Sequence, residues 1–195
     1  METSSPRGRR PRADARRNYE RLLAEADAAF REHGTETSLE SVARRAGVAI
    51  GTLYGHFPTR LALVGALLRE RNEQLFELGD RLLAEASAGE ALEGWVRALV
   101  EHVAQYRGLA GMLADGLGDE ASELHAGCVR MTDIAGALVA RAREAGAVRG
   151  EVTGADVFAL VNAATWLREQ MSPEQADRLL GFAMDGLRPT AASPA

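Results

Sequence analysis

Between Thr37 and Arg60 the chain reads TSLESVARRAGVAIGTLYGHFPTR, in which hydroxyl, imidazole and guanidinium side chains able to bond phosphate recur among apolar positions. Thr52, Tyr54 and His56 interleave with the apolar Leu53 and Phe57. They are polar groups for another face, and hydroxyl and imidazole groups are types that can bond phosphate oxygens or base edges. Thr37 and Ser38 stand where a helix should begin, and hydroxyls there, with free backbone N–H groups, suit a phosphate. Arg60 adds a guanidinium for a charge-assisted bond. The residue types are ordinary; their spacing carries the reading.

The elements that must position these groups are two short helices joined by a glycine turn. Thr37 and Glu40 have the spacing of a capping box, with the threonine hydroxyl accepting from a backbone N–H and Glu40 reaching back. Leu39, Val42, Ala43 and Ala46 then recur at helical spacing and predict a narrow buried face. Gly47 supplies a positive φ at the turn, and Val48 plugs the corner behind it. A second helix is expected from about Ala49 to Gly55, stopped by His56-Phe57-Pro58, with Leu53 and Phe57 inward. This is a helix-turn-helix, the geometry that presents a helix to the major groove. The competing reading is an αα-corner buried in a helical protein.

The run GVAIGTLYGHFPTR, Gly47 to Arg60, resembles the DNA-binding signature of the tetracycline-repressor (TetR) family. The turn glycine, T-L-Y, H-F and the following basic position all fall in register. The match extends back through a helix from about Ala13 to His33 and forward into the helix after Thr59. The resemblance implies DNA contacts from Thr37, Ser38, Ala49, Ile50, Gly51, Thr52, Tyr54, His56 and Arg60. Two positions depart from the family pattern. Ala49 replaces a serine-like cap, and Gly55 stands where a larger residue is usual. Ile50 and Gly51 offer only apolar or backbone contact, so readout leans on thymine methyls and DNA shape.

The net charge of −5 does not suit a DNA binder until the chain is divided. Residues 1–60 hold 11 arginines against 8 acids, and residues 61–195 hold 12 arginines against 20 acids. There is no lysine. Residues 1–12, rich in Arg, Pro, Ser and Gly, read as a disordered basic arm that can follow phosphates or enter a minor groove, or simply aid solubility. Cys128 is the only cysteine, which excludes an intrachain disulfide and fits a cytoplasmic protein. No apolar run approaches the ~20 residues that span a bilayer, so no membrane partner is expected. Metalloprotease, P-loop, nucleophile-elbow and Rossmann patterns are absent, and neither catalysis nor a cofactor is expected.

The remaining chain predicts helices only, about nine in all: an all-α protein. We divide it into the arm, a helix-turn-helix domain over 13–60, an effector-binding and dimerisation domain over 61–188, and a disordered tail over 189–195. The expected helices run from Thr59 to about Ala86, Glu90 to Tyr106, Leu109 to Leu117, Glu120 to Ala145, a capping box at Thr153/Asp156 to Gln170, and Ser172-Pro173 to Gly186. Their order again resembles the TetR family, and residues from about Glu90 resemble its SbtR-like regulatory domains. The resemblance implies a ligand-responsive repressor that binds a palindromic operator in double-stranded DNA as a homodimer and is released by a small-molecule effector.

Trp95, Leu99, His102 and Tyr106 share one helical face, which reads equally as pocket lining or as core. Cys128 and Trp166 are further effector candidates, and Trp166 can face either pocket or partner subunit. Val157, Leu160, Val161 and Ala164 form one stripe for the dimer interface, and Leu179, Leu180, Ala183 and Leu187 form another. Two alternatives stay open: a helical protein-interaction module without DNA binding, and a metal or thiol sensor using His125 and Cys128. Two ligands do not make a metal site, so no metal is expected.

Overall fold

The computed structural model describes residues 9–116 and 123–189, all of whose regular elements are helical. They are α1 (Arg9–His33), α2 (Leu39–Arg45), α3 (Ile50–His56), α4 (Arg60–Ala84), α5 (Ala88–Val103), α6 (Leu109–Gly116), α7 (Glu123–Glu144), α8 (Gly154–Gln170) and α9 (Pro173–Gly186). Helix α1 begins at Arg9, four residues before the expected Ala13. Pro11 does not prevent this, since a first-turn N–H has no helical partner to lose. The expected turn over Gly116–Asp119 and both chain ends lie largely or wholly outside the described residues.

The first three helices pack around Leu22, Ala26, Phe30, Val42, Leu53 and Phe57, all buried. The cap of α2 falls one residue later than expected. Thr37 Oγ1 donates to Gly34 O at 2.8 Å, closing the turn after α1, so the capping acceptor is Ser38, which receives Ser41 N–H. Glu40 still takes part, accepting a 2.7 Å bond from the Ser38 hydroxyl that holds its carboxyl below the usual range. Gly47 has φ +64°, a conformation that favours glycine, and the Arg21 guanidinium lies against its open side.

Helix α4 starts at its Thr59 cap, whose hydroxyl accepts from Ala62 N, and runs into the second domain. There it packs against α5 and α7, while α8 lies across α5 and α7 and carries α9. The expected caps of the last two helices are present: the reciprocal box of Thr153 and Asp156, and Ser172 followed by Pro173 at the helix start.

The two domains meet where the segment after α5 docks on the turn after α1. Tyr106 Oη donates to Asp27 Oδ1 at 2.5 Å, Arg107 donates from its guanidinium to His33 O, and Thr35 N–H donates to Arg107 O. Gly34, at φ +85°, makes room for this: a Cβ would lie 2.9 Å from Arg107 O. On the far side, Gly108 N–H donates to Glu169 of α8. Arg60 at the start of α4 completes the junction, donating to Thr35 O and Thr37 O at 2.5 and 2.6 Å.

Candidate functional site

Helix α3 turns Leu53 into the core, with Phe57 buried behind it, and leaves Ala49, Gly51, Tyr54 and Gly55 on the outside. Thr52, Ile50 and His56 are half-buried at the edges of this strip. Tyr54 is 45% exposed, high for a tyrosine with no ligand against it. Nothing lies within 4 Å of a Cβ built on Gly51 or Gly55, so the outermost line of the helix is bare backbone. Bare backbone lets a helix approach base edges closely, and Tyr54 stands beside it as a phenol donor.

The other candidate contacts are less free. His56 rests edge-on against Tyr19 of α1 at 5.9 Å, which fixes its ring. One Arg60 nitrogen is committed to the two carbonyls after α1, so this residue braces the turn that presents Ser38. The Thr37 hydroxyl faces inward onto Gly34 O, leaving Ser38 as the exposed hydroxyl at the start of α2. Arg45 anchors α2 to α1 through Glu25 and Glu32.

In the second domain Trp95, Leu99 and His102 are buried together on α5. Tyr106 is not part of that face. Helix α5 ends at Val103, and Tyr106, beyond its end, packs against Phe30 and bonds to Asp27 of the DNA-binding domain. Burial, then the bond to Asp27, pushes its phenol well above the ordinary value. Burial works to raise Asp27, but the bonds from Arg31 and Tyr106 outweigh it and leave the carboxyl lowered. Tyr106 is therefore an interdomain tie.

Cys128 is buried on α7, and burial raises its thiol pKa, which disfavours the reactive thiolate. Among the described residues no three His, Cys, Asp or Glu side chains are grouped to hold a metal.

His102 is 4% exposed, and burial, with the nearby Arg71 charge, lowers its pKa to about 4. The folded imidazole thus binds its proton less readily than the unfolded one. Stability from this source is intact above the ordinary value of 6.5 and is lost as the pH falls towards about 4. The loss should be ~3 kcal/mol. Urea titrations between pH 7 and pH 4 should show a flatter stability profile for His102→Gln by about that amount.

Among the described residues, the buried side-chain atoms Arg71 Nε, Asn72 Oδ1, Trp95 Nε1 and His102 Nε2 have no hydrogen-bond partner. Arg71 and Asn72 are not among the residues the sequence singles out. The available signal is that Asn72 interrupts the stripe Leu68, Leu75, Gly79 and Leu82 on the buried face of α4.

The expected dimer stripes need correction. Val157, Val161, Ala164 and Leu180 are buried within the single chain, where α8 packs on α5 and α7. Leu160, Ala183 and Leu187 are half-buried. Trp166, a candidate for either the pocket or the partner subunit, is 58% exposed on α8, and Phe182 on α9 is 69% exposed, with Leu179 close to it in sequence on the same helix. Ala155, Ala159 and Ala163 of α8 are exposed as well. Helix α8 is apolar on both faces, so periodicity cannot say which face is inward.

Comparison with known proteins fits this arrangement. Residues 22–67 match the model for bacterial regulatory proteins of the tetR family, and residues 87–189 match that for transcriptional regulators with an SbtR-like C-terminal domain. A TetR transcriptional regulator from Streptomyces coelicolor is 34% identical, with 88% of this chain and 99% of that one covered at a TM-score of 0.58. One from Mycobacterium vanbaalenii is also 34% identical, covering 91% and 99% at 0.51. A Bacillus subtilis regulator solved with stearoyl-CoA shares the fold at 19% identity, covering 87% and 97% at 0.59. No curated protein sequence matches. With a braced α2–α3 pair at one end and a separate helical core at the other, the chain belongs to the TetR family of transcriptional regulators and carries an SbtR-like C-terminal domain.

Proposed function

We propose that the protein is a cytoplasmic homodimeric repressor whose grip on a palindromic operator is loosened by a small molecule in the C-terminal domain. The observation that carries this is the outer strip of α3: bare at Gly51 and Gly55, flanked by exposed Tyr54 and seated on buried Leu53. The exposed Trp166 and Phe182 support a two-fold partner, because large apolar groups left in water favour association. Ala49, Ile50 and Thr52 complete the edge of the DNA-facing strip, with Ser38 at the start of α2 as a phosphate contact.

The connection between the two ends is physical. A ligand lodged among α4, α5 and α7 displaces α4, whose first residue Arg60 holds the carbonyls of Thr35 and Thr37. Tyr106 and Arg107 brace the same turn from the end of α5. A shift there changes the separation of the two recognition helices, which must enter major grooves ~34–36 Å apart. A difference of ~1–3 kcal/mol between the states makes a working switch. Cys128 and His125 do not favour a thiol-sensing alternative, given the buried, raised thiol.

The test is capture of genomic DNA by the purified protein, followed by titration of the recovered fragments at rising salt. Affinity should fall with a log–log slope of about −0.9 for each phosphate neutralised. If nothing is retained from genomic DNA at low salt, the protein is an interaction module and this reading is wrong.

A further inference from the structure

One peptide group, Arg107–Gly108, is held from both sides by parts of the chain distant in sequence. Its carbonyl accepts the Thr35 N–H at 2.9 Å and the Thr35 hydroxyl at 3.3 Å, both from the turn after α1. Its N–H donates at 2.9 Å to Oε1 of Glu169, in the last turn of α8. A trans peptide group is a rigid plane whose N–H and C=O point opposite ways. It is therefore a short bar, with α8 at one end and the DNA-binding domain at the other.

The fit around this bar is close. Gly34 and Gly108 both have left-handed backbones, at φ +85° and +82°. A Cβ on Gly34 would lie 2.9 Å from Arg107 O, and one on Gly108 would lie 2.9 Å from Thr35 Oγ1. Each glycine thus admits the other loop, and Thr35 is fully enclosed. The Thr35 carbonyl in turn accepts from Arg60, whose same nitrogen reaches Thr37 O, one residue before the Ser38 cap of α2. The bonded path that starts at Glu169 ends where the helix-turn-helix begins.

Glu169 also stands among the groups that mark the outer face of the C-terminal domain. It follows Trp166 by three residues, so the two share a side of α8. Arg168 between them pairs with Asp177 of α9. Trp166 and Phe182 are the exposed aromatics of these two helices. An ionised carboxylate makes a strong bond to a backbone N–H, and that bond polarises the carbonyl beyond it, strengthening the hold of Thr35.

We propose that Glu169 is a positioning residue: through the Arg107–Gly108 peptide it ties the turn after α1 to α8, and so fixes the helix-turn-helix against the helices that carry the exposed aromatics. This rests on the reading of the protein as a DNA-binding regulator. A turn held in place leaves more of the population ready to bind DNA, and apparent affinity scales with that fraction.

The test compares Glu169→Gln with Glu169→Met in the full chain. Both remove the same charge, and only glutamine keeps an oxygen that can accept from Gly108 N–H. Glu169 is exposed, so neither change opens a cavity. Hydrogen exchange at the Thr35 amide, resolved by fragmentation mass spectrometry, should be at least about tenfold faster in Glu169→Met. In Glu169→Gln it should stay within about threefold of the unmodified protein. Affinity for the genomic fragment retained most tightly should fall about tenfold in the methionine variant and recover in the glutamine one. Helicity and mass by light scattering should not change. Glu169→Asp, which keeps the charge but is one methylene shorter, should behave as Glu169→Met and serves in its place if that variant does not fold. Equal Thr35 exchange in the glutamine and methionine variants, or equal operator affinity in the two, overturns the proposal. If the unmodified protein retains no genomic DNA, the regulator reading fails instead, and the exchange comparison alone decides the role of Glu169.

Discussion

Trp166→Arg combined with Phe182→Asp is expected to leave each chain folded, to turn the proposed dimer into a monomer, and to remove tight operator binding in the same step. Both side chains are mostly in water in the single chain, so replacing them opens no cavity. Across a two-fold interface the two copies of each aromatic bury apolar surface worth on the order of 10 kcal/mol before the cost of association. Loss of that surface, with charge in its place, should move the dissociation constant by several orders of magnitude. Light scattering at micromolar concentration reads the mass, and circular dichroism reads the fold. Ala164→Glu makes the contrast. Ala164 is buried within the chain, so a carboxylate there should destabilise the monomer itself by several kcal/mol. A dimer that survives both aromatic substitutions would place its interface elsewhere.

The second large effect is expected at Gly55. Its Cβ position is open on every side, so Gly55→Glu should fold normally, and the gain in helix propensity should offset any cost to within about 1 kcal/mol. On the DNA-facing strip the new carboxylate meets phosphates. Operator affinity should fall by about two orders of magnitude at moderate salt, with thermal stability unchanged or slightly raised. Gly55→Ala, which adds bulk without charge, should lose far less. Equal affinity of Gly55→Glu and the unmodified protein would mean that α3 does not face the duplex.

The helix-turn-helix was legible because its signals are local. Caps, a positive-φ glycine and the i, i+4 pair Leu53/Phe57 act over a few residues. The structure moves the α2 cap from Thr37 to Ser38 and makes His56, expected as part of the stop, the last residue of α3. Strong punctuation elsewhere, such as Thr153/Asp156 and Ser172-Pro173, marked helix starts equally well. What could not be read depends on partners distant in sequence. Tyr106 has helical spacing from His102, yet Asp27, 79 residues away, takes its hydroxyl. In α8 both faces are apolar, so the choice of Val157, Val161 and Ala164 as the outward stripe was inverted by packing against α5 and α7. Asn72 is not legible in the sequence, because a single polar residue in a leucine stripe shows its cost only when its packed neighbours leave Oδ1 unpaired.

Footprinting on the genomic fragment retained most tightly, with the mass of the complex measured in parallel, tests the central claim most directly. The account predicts a two-fold symmetric protected site, half-sites ~34–36 Å apart, and two chains bound per site. Protection of a single half-site by one chain, or DNA retention with no sequence-specific protection at all, would contradict it.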